Sequence, residues 1–182
     1  PQDVELFDGT VAENIARLGE VDSARVIAAA QMTGLHEMIL RFPKGYDTPL
    51  GESGGFLSGG QRQRMGLARA VYGNPRLVVL DEPNANLDEE GEMALLRAVV
   101  ALRAQGSAVV LVTHRPGALQ AADRVVVLRQ GRIHLQGGRE QVLARLREEQ
   151  ETAARERALE QLRNPQRSAS TDEPGAAGTA AA

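Results

Sequence analysis

Two short apolar runs, RLVVLD at residues 76–81 and SAVVLVTH at residues 107–114, constrain the fold of this 182-residue chain more than any other feature. A short continuous apolar run is the mark of a strand covered on both faces, as in a parallel sheet. The intervening DEEGEMALLRAVVALRAQG reads as a helix, with Asp88 as N-cap, acids in its first turn and Gly106 just past its end. Strand, helix and strand in that order make a βαβ unit, so the fold class is α/β with a parallel sheet.

Ligands of open parallel sheets bind at the carboxyl edge of the strands. Asp81 ends the first run there and can hold Mg²⁺, usually through water. Glu82 follows it and can polarise an attacking water, a contribution of roughly 10²- to 10⁴-fold in rate. Two acids after a strand more often only cap the next helix; their distance after the glycine-rich turn described next weighs against that reading. His114 ends the second run at the same edge, where a neutral imidazole can hydrogen-bond a terminal phosphate and sense its loss. His36 and His134 have no such setting and read as ordinary residues.

The glycine-rich turn is LSGGQRQRMGLARA, residues 57–70. Ser58 caps a helix that Gly73-Asn74-Pro75 ends, and Gly59 and Gly60 let a ligand approach the backbone. First-turn N–H groups lack internal partners and the helix dipole is positive there, which suits an anion. For SGG alone an ordinary Ser-capped helix is the better reading, but the longer string is far more specific. A phosphate-binding loop, G-x-x-x-x-G-K-[ST], is not in the sequence: the single lysine, Lys44 in FPKGYDT, has neither the preceding glycine nor the following Ser or Thr.

Residues 10–41 read as helical. Thr10 with Glu13 forms a capping-box pattern before TVAENIARL, and Asp22 or Ser23 caps DSARVIAAAQMTGL, whose inner face carries Val26, Ile27 and Ala30. FPKGYDTPLGESGGF then interrupts regular structure. Beyond the βαβ unit, DRVVVLRQGRI predicts a strand, a tight turn at Gln130-Gly131 and a short return strand. Residues 139–162 are helix-forming but mostly charged, a solvated terminal helix without the heptads of a coiled coil. From Asn164 the small and polar residues predict disorder.

Together these motifs resemble those of the ATP-binding-cassette (ABC) ATPases. LSGGQ is similar to the family signature, LVVLDE to its Walker B strand with the catalytic glutamate, ANLD (residues 85–88) to its D-loop and VTH to its switch histidine. Gln2, in PQDVELFDGTVAENI, resembles the Q-loop glutamine, which in the family contacts Mg²⁺ and the attacking water. The similarity runs from Gln2 to about Leu146. It implies an incomplete P-loop NTPase fold: a helical signature subdomain with the Q-loop (1–75), the C-terminal part of the RecA-like core (76–147), a charged terminal helix (148–163) and a disordered tail (164–182). The Walker A loop is expected upstream of Pro1, so the chain reads as a piece of a longer protein and is expected to be inactive alone.

In that family two cassettes pack head to tail, each ATP lying between the Walker A loop of one and the signature of the other. The resemblance therefore implies ATP and Mg²⁺ as cofactors and a second, identical cassette as partner. Ser58, Gly59, Gly60 and Gln61 would face the γ-phosphate of the partner's ATP. Asp81 and Gln2 would serve the metal, Glu82 and His114 the hydrolysis of this chain's own nucleotide, and Asp88 would lie with the D-loop between the sites.

PQDVELFDGTVAENIA and TPLGESGGFLSGGQ resemble ABC exporters, in which the segment equivalent to residues 51–54 touches the membrane domain. DEPNANLDEEGE departs from the commoner DEPTSALD, Ala85 replacing Ser and Asn86 replacing Ala. That version, with PKGYDT and VTHRP, resembles type I secretion exporters of bacterial proteases and lipases. It implies a transmembrane domain on the same polypeptide, a periplasmic adaptor, an outer-membrane channel, and a place on the cytoplasmic face of the bacterial inner membrane. The alternatives are an exporter of lipid, peptide or drug and, further off, a DNA-associated ATPase of the same superfamily. A net charge of −3 and the lack of flanking coiled coils argue against nucleic acid as a partner. The absence of cysteine excludes a disulfide framework or cysteine-ligated zinc, and no run of about 18 apolar residues is present.

Overall fold

The computed structural model describes residues 4–51 and 54–163. Gln2, Glu52, Ser53 and the tail from residue 164 lie outside the described residues. The chain divides into two compact units, Pro1–Ala122 and Asp123–Ala182.

In the first unit, local signals set the helix starts. Helix α1 (Val11–Ile15) opens on the capping box, Glu13 N–H donating to Thr10 Oγ1 at 3.2 Å and Thr10 N–H to Glu13 Oε2 at 2.7 Å. Helix α2 (Ser23–Met32) is capped by Asp22, which accepts from Arg25 N–H at 3.1 Å. Its inner face is Val26, Ala29 and Ala30, with Ile27 at the margin. A short α3 (His36–Leu40) and a 3₁₀ turn (Gly45–Asp47) follow. Helix α4 (Gly59–Val71) starts on Ser58 and ends where Gly73 and Asn74 both turn left-handed. Ile15, Leu35, Ile39, Leu50 and Met65 are fully buried and make the apolar centre shared by these helices.

Strand β1 (Leu77–Asp81) pairs in parallel with β2 (Ala108–Val112), in register from Leu77↔Ala108 to Asp81↔Val112. Helix α5 (Glu89–Ala104) crosses between them, so the βαβ unit is present. One face of this pair is covered: Val78 and Leu80 are buried in the same core as Leu95, Ala98 and Leu102 of α5. The other face differs from the sequence reading of strands covered on both sides. Leu77, Val79, Val110 and Val112 are 48–61 % exposed, whereas Val78 and Leu80 between them are buried. The continuous apolar pattern is thus suited to a layer beyond those described.

In the second unit, β3 (Arg124–Arg129) and β4 (Arg132–Gly138) form an antiparallel hairpin. Its turn has positive φ at both central residues, Gln130 (50°) and Gly131 (73°), as a twist-matched two-residue hairpin requires. Helix α6 (Arg139–Arg163) follows at once and buries Val142. Glu149 of α6 accepts from Arg129 at 3.2 Å and pairs with His134 at 3.0 Å, so His134 has a structural partner. Among the described residues no helix is long and apolar enough to cross a membrane.

Candidate functional site

Asp81 ends β1 at the carboxyl edge of the sheet, with its side chain exposed. The ladder continues one residue further, Glu82 N–H donating to Val112 O at 2.9 Å, before the chain turns away through Ala85 N–H to Glu82 O at 3.1 Å. To make that turn Glu82 takes φ of 45°, a left-handed conformation that non-glycine residues rarely hold. The turn drives the side chain inward, to 18 % exposure, and sets Oε1 2.8 Å from His114 Nδ1. The second oxygen, Oε2, is buried with no hydrogen-bond partner.

A carboxylate with one oxygen on an imidazole and the other buried and unpaired is an acceptor that lacks a donor. A carboxylate with spare acceptor capacity can polarise a water that reaches it. His114 is 74 % exposed, so the rest of its ring is open to a ligand. With Nδ1 on Glu82, Nε2 is the ring nitrogen left to meet a ligand.

At the start of α4, Gln61 N–H donates to Ser58 Oγ at 3.2 Å and Ser58 N–H to Gln61 Oε1 at 2.9 Å, leaving the Ser58 hydroxyl proton free to donate outward. The two glycines differ. A Cβ on Gly60 would stand 2.9 Å from the Asn86 carbonyl oxygen, whereas one on Gly59 would make ordinary contact with the Asn86 side chain at 3.6 Å. The signature turn is thus packed against the D-loop of its own chain. Asp88 caps α5 by accepting from Gly91 N–H at 2.9 Å, and the same Oδ1 receives Arg64 at 3.4 Å.

Ser58 to Gln61 sit at the first turn of α4 beside Asn86, while Glu82 pairs with His114. Asp81 instead shares a cavity of about 620 Å³ with Gln63, Arg69, Val79 and Phe7, residues that include later turns of α4. Gln63, which sequence reasoning passed over, is 7 % exposed and donates to Glu82 O at 3.5 Å. Asn84 and Thr113, joined at 3.3 Å, were also passed over. A polar residue turned inward gives no periodic signal of its own, but Asn84 lies two residues from Glu82, Thr113 adjoins His114 and Gln63 lies two residues from Gln61.

Among the described residues no cluster of three or more His, Asp or Glu could hold a metal alone. That suits Mg²⁺, which is commonly held by one or two carboxylates with water and substrate phosphates. The exposed Asp81 beside the Glu82 carboxylate fits a magnesium nucleotide and an attacking water.

The ABC transporter family profile matches residues 1–85. Over 147 residues the chain is 52 % identical to the type I secretion system ATP-binding protein PrsD of Rhizobium meliloti, covering 80 % of this chain and 25 % of that protein. It is 43 % identical over 144 residues to the cyclolysin secretion/processing ATP-binding protein CyaB of Bordetella pertussis, covering 79 % and 20 %. The ATP-dependent lipid A-core flippase of Haemophilus ducreyi is 42 % identical over 146 residues, covering 79 % and 25 %. The fold is similar to that of a bacterial Atm1-family ABC exporter solved with ATP bound: TM-score 0.73, 36 % identity, 80 % of this chain and 26 % of that one. The chain spans about a quarter or less of the length of these relatives. Signature turn, carboxylate edge, family profile and relatives agree, and the chain is similar to the ATP-binding proteins of ABC transporters.

Proposed function

We propose that this chain is part of the ATP-hydrolysing engine of a bacterial type I secretion exporter at the inner membrane, on its cytoplasmic face. The 2.8 Å approach of His114 Nδ1 to Glu82 Oε1, beside a buried and unpaired Oε2, carries the hydrolytic reading. The 52 % identity to a secretion-system protein supports the transport class.

In this reading the Glu82 carboxylate accepts the proton of the attacking water, and His114 holds the carboxylate in place and meets the terminal phosphate. Asp81, with Gln2, would hold Mg²⁺, which supplies charge neutralisation at the transferring phosphoryl group. Ser58, Gly59, Gly60 and Gln61 would close on the nucleotide of a second cassette packed head to tail. Asp88 acts there as the cap that holds the D-loop at the start of α5. The transmembrane domain, a periplasmic adaptor and an outer-membrane channel complete the assembly.

Glu82→Gln in the full-length parent is expected to permit ATP binding and cassette closure while blocking turnover; near-normal hydrolysis would remove Glu82 as the base. The likeness to a lipid A-core flippase favours a second reading, export of lipid. Stimulation of the parent's ATPase by lipid vesicles rather than by a secreted polypeptide would select it.

A further inference from the structure

The loops that carry Glu82 and His114 are tied together by side chains next to them in sequence. Asn84, two residues after Glu82, is 3 % exposed. Thr113, immediately before His114, donates from Oγ1 to Asn84 Oδ1 at 3.3 Å and accepts from the Arg115 N–H at 3.0 Å. Arg115 is itself held by Glu92 of α5 at 2.7 Å. A chain of polar contacts thus runs from the β1 loop, through the β2 loop, to α5.

This tie adjoins a strained position. The left-handed φ of Glu82 is unfavourable for a residue with a side chain and persists only where the surroundings impose it. Backbone bonds to Val112 and Ala85 hold the residue from the strand and turn sides. The Val112 bond ties the start of the turn to the end of β2; the buried Asn84 with Thr113 ties the two loops a second time, one residue from His114.

We propose that Asn84 and Thr113 are a positioning pair, whose hydrogen bond fixes the spacing of the two loops and so keeps Glu82 turned inward against His114. The inference rests on the reading of Glu82 as the base. Misplacing a catalytic group by about 1 Å can cost on the order of 10²-fold in rate, so the pair acts on kcat rather than on nucleotide affinity.

The test is steady-state ATP hydrolysis by the full-length transporter carrying Thr113→Val, Thr113→Ser, Asn84→Ala or Glu82→Gln. Thr113→Val keeps the shape and removes the hydroxyl. It is expected to lower kcat about tenfold with KM for ATP within about twofold, and Thr113→Ser to restore kcat. Asn84→Ala is expected to match Thr113→Val, with the double variant no worse than either alone; it carries the test if the valine variant does not assemble. Wild-type kcat in Thr113→Val or Asn84→Ala, or a loss in Thr113→Val that Thr113→Ser fails to restore, would overturn the pair. If Glu82→Gln is inactive while Thr113→Val is normal, the pair alone is refuted; if Glu82→Gln hydrolyses ATP normally, the underlying reading of Glu82 is refuted with it.

Discussion

Arg69 reaches from α4 to Asn14 in α1, donating to the Asn14 side-chain oxygen at 2.8 Å and to its carbonyl at 3.2 Å. Asn14 is fully buried and grips the Phe7 backbone at both ends, accepting from its N–H at 2.9 Å and donating to its carbonyl at 3.0 Å. The Arg69 guanidinium also lies 4.3 Å from the centre of the Phe7 ring. Burial, and then the nearby positive Arg17, push the Arg69 pKa down. The segment at residues 4–10 is thereby locked to the signature helix by polar contacts.

Asn14→Ala removes a hydrogen-bond partner from four groups at once, the Phe7 N–H, the Phe7 and Thr10 carbonyls and the Arg69 guanidinium. Each buried group left unpaired costs about 1–3 kcal/mol. A loss of roughly 3 kcal/mol is expected, read as a lowered urea midpoint with unchanged slope. A midpoint close to that of the native sequence would show that Arg69 and Phe7 find other partners.

Gly60→Ala and Gly59→Ala should differ sharply in stability. Alanine in a helix is favoured over glycine by about 1 kcal/mol, so Gly59→Ala, with 3.6 Å of room, is expected to melt at or slightly above the native temperature. Gly60→Ala drives a methyl to 2.9 Å from the Asn86 carbonyl, backbone that cannot swing aside, and is expected to cost roughly 1–3 kcal/mol. Thermal melts of the two variants check the order.

Hydrogen bonding from His134, then the charges of His134 and Arg129, hold the Glu149 carboxyl below its ordinary value of 4.5 against the opposing effect of desolvation. A carboxyl depressed in the folded state stabilises fully above its unfolded value and loses that contribution as pH falls through the lower folded value. The contact of α6 with the β3–β4 hairpin is therefore expected to be intact above pH 4.5 and to loosen below it. Amide exchange in β4 and the first half of α6, compared at about pH 6 and about pH 3, should show the change. Glu149→Gln should flatten it.

Local rules made much of this fold legible. Thr10 with Glu13, Ser58 with Gln61 and Asp88 with Gly91 are contacts three residues apart, so short-range chemistry suffices to place the helix starts. The strand, helix and strand of the βαβ unit follow from continuous apolar runs either side of a capped segment. Asp81, Glu82 and His114 were readable because strand ends in a parallel sheet share an edge.

By itself, then, the sequence determined the elements, their caps and which residues stand at the sheet edge, since each depends on neighbours within a turn or on hydrophobic period. Only the tertiary structure decided how they combine. Glu82 and His114 are 32 residues apart and Asn14 and Arg69 are 55 apart, and no local pattern encodes the distance between such pairs. The left-handed turn at Glu82 is imposed by the ladder, the Ala85 turn and the packing around it, against its own preference. The bare outer face of β1 and β2 belongs to the same class: an apolar run states that a strand is to be covered, and only the packed layers show which side has been.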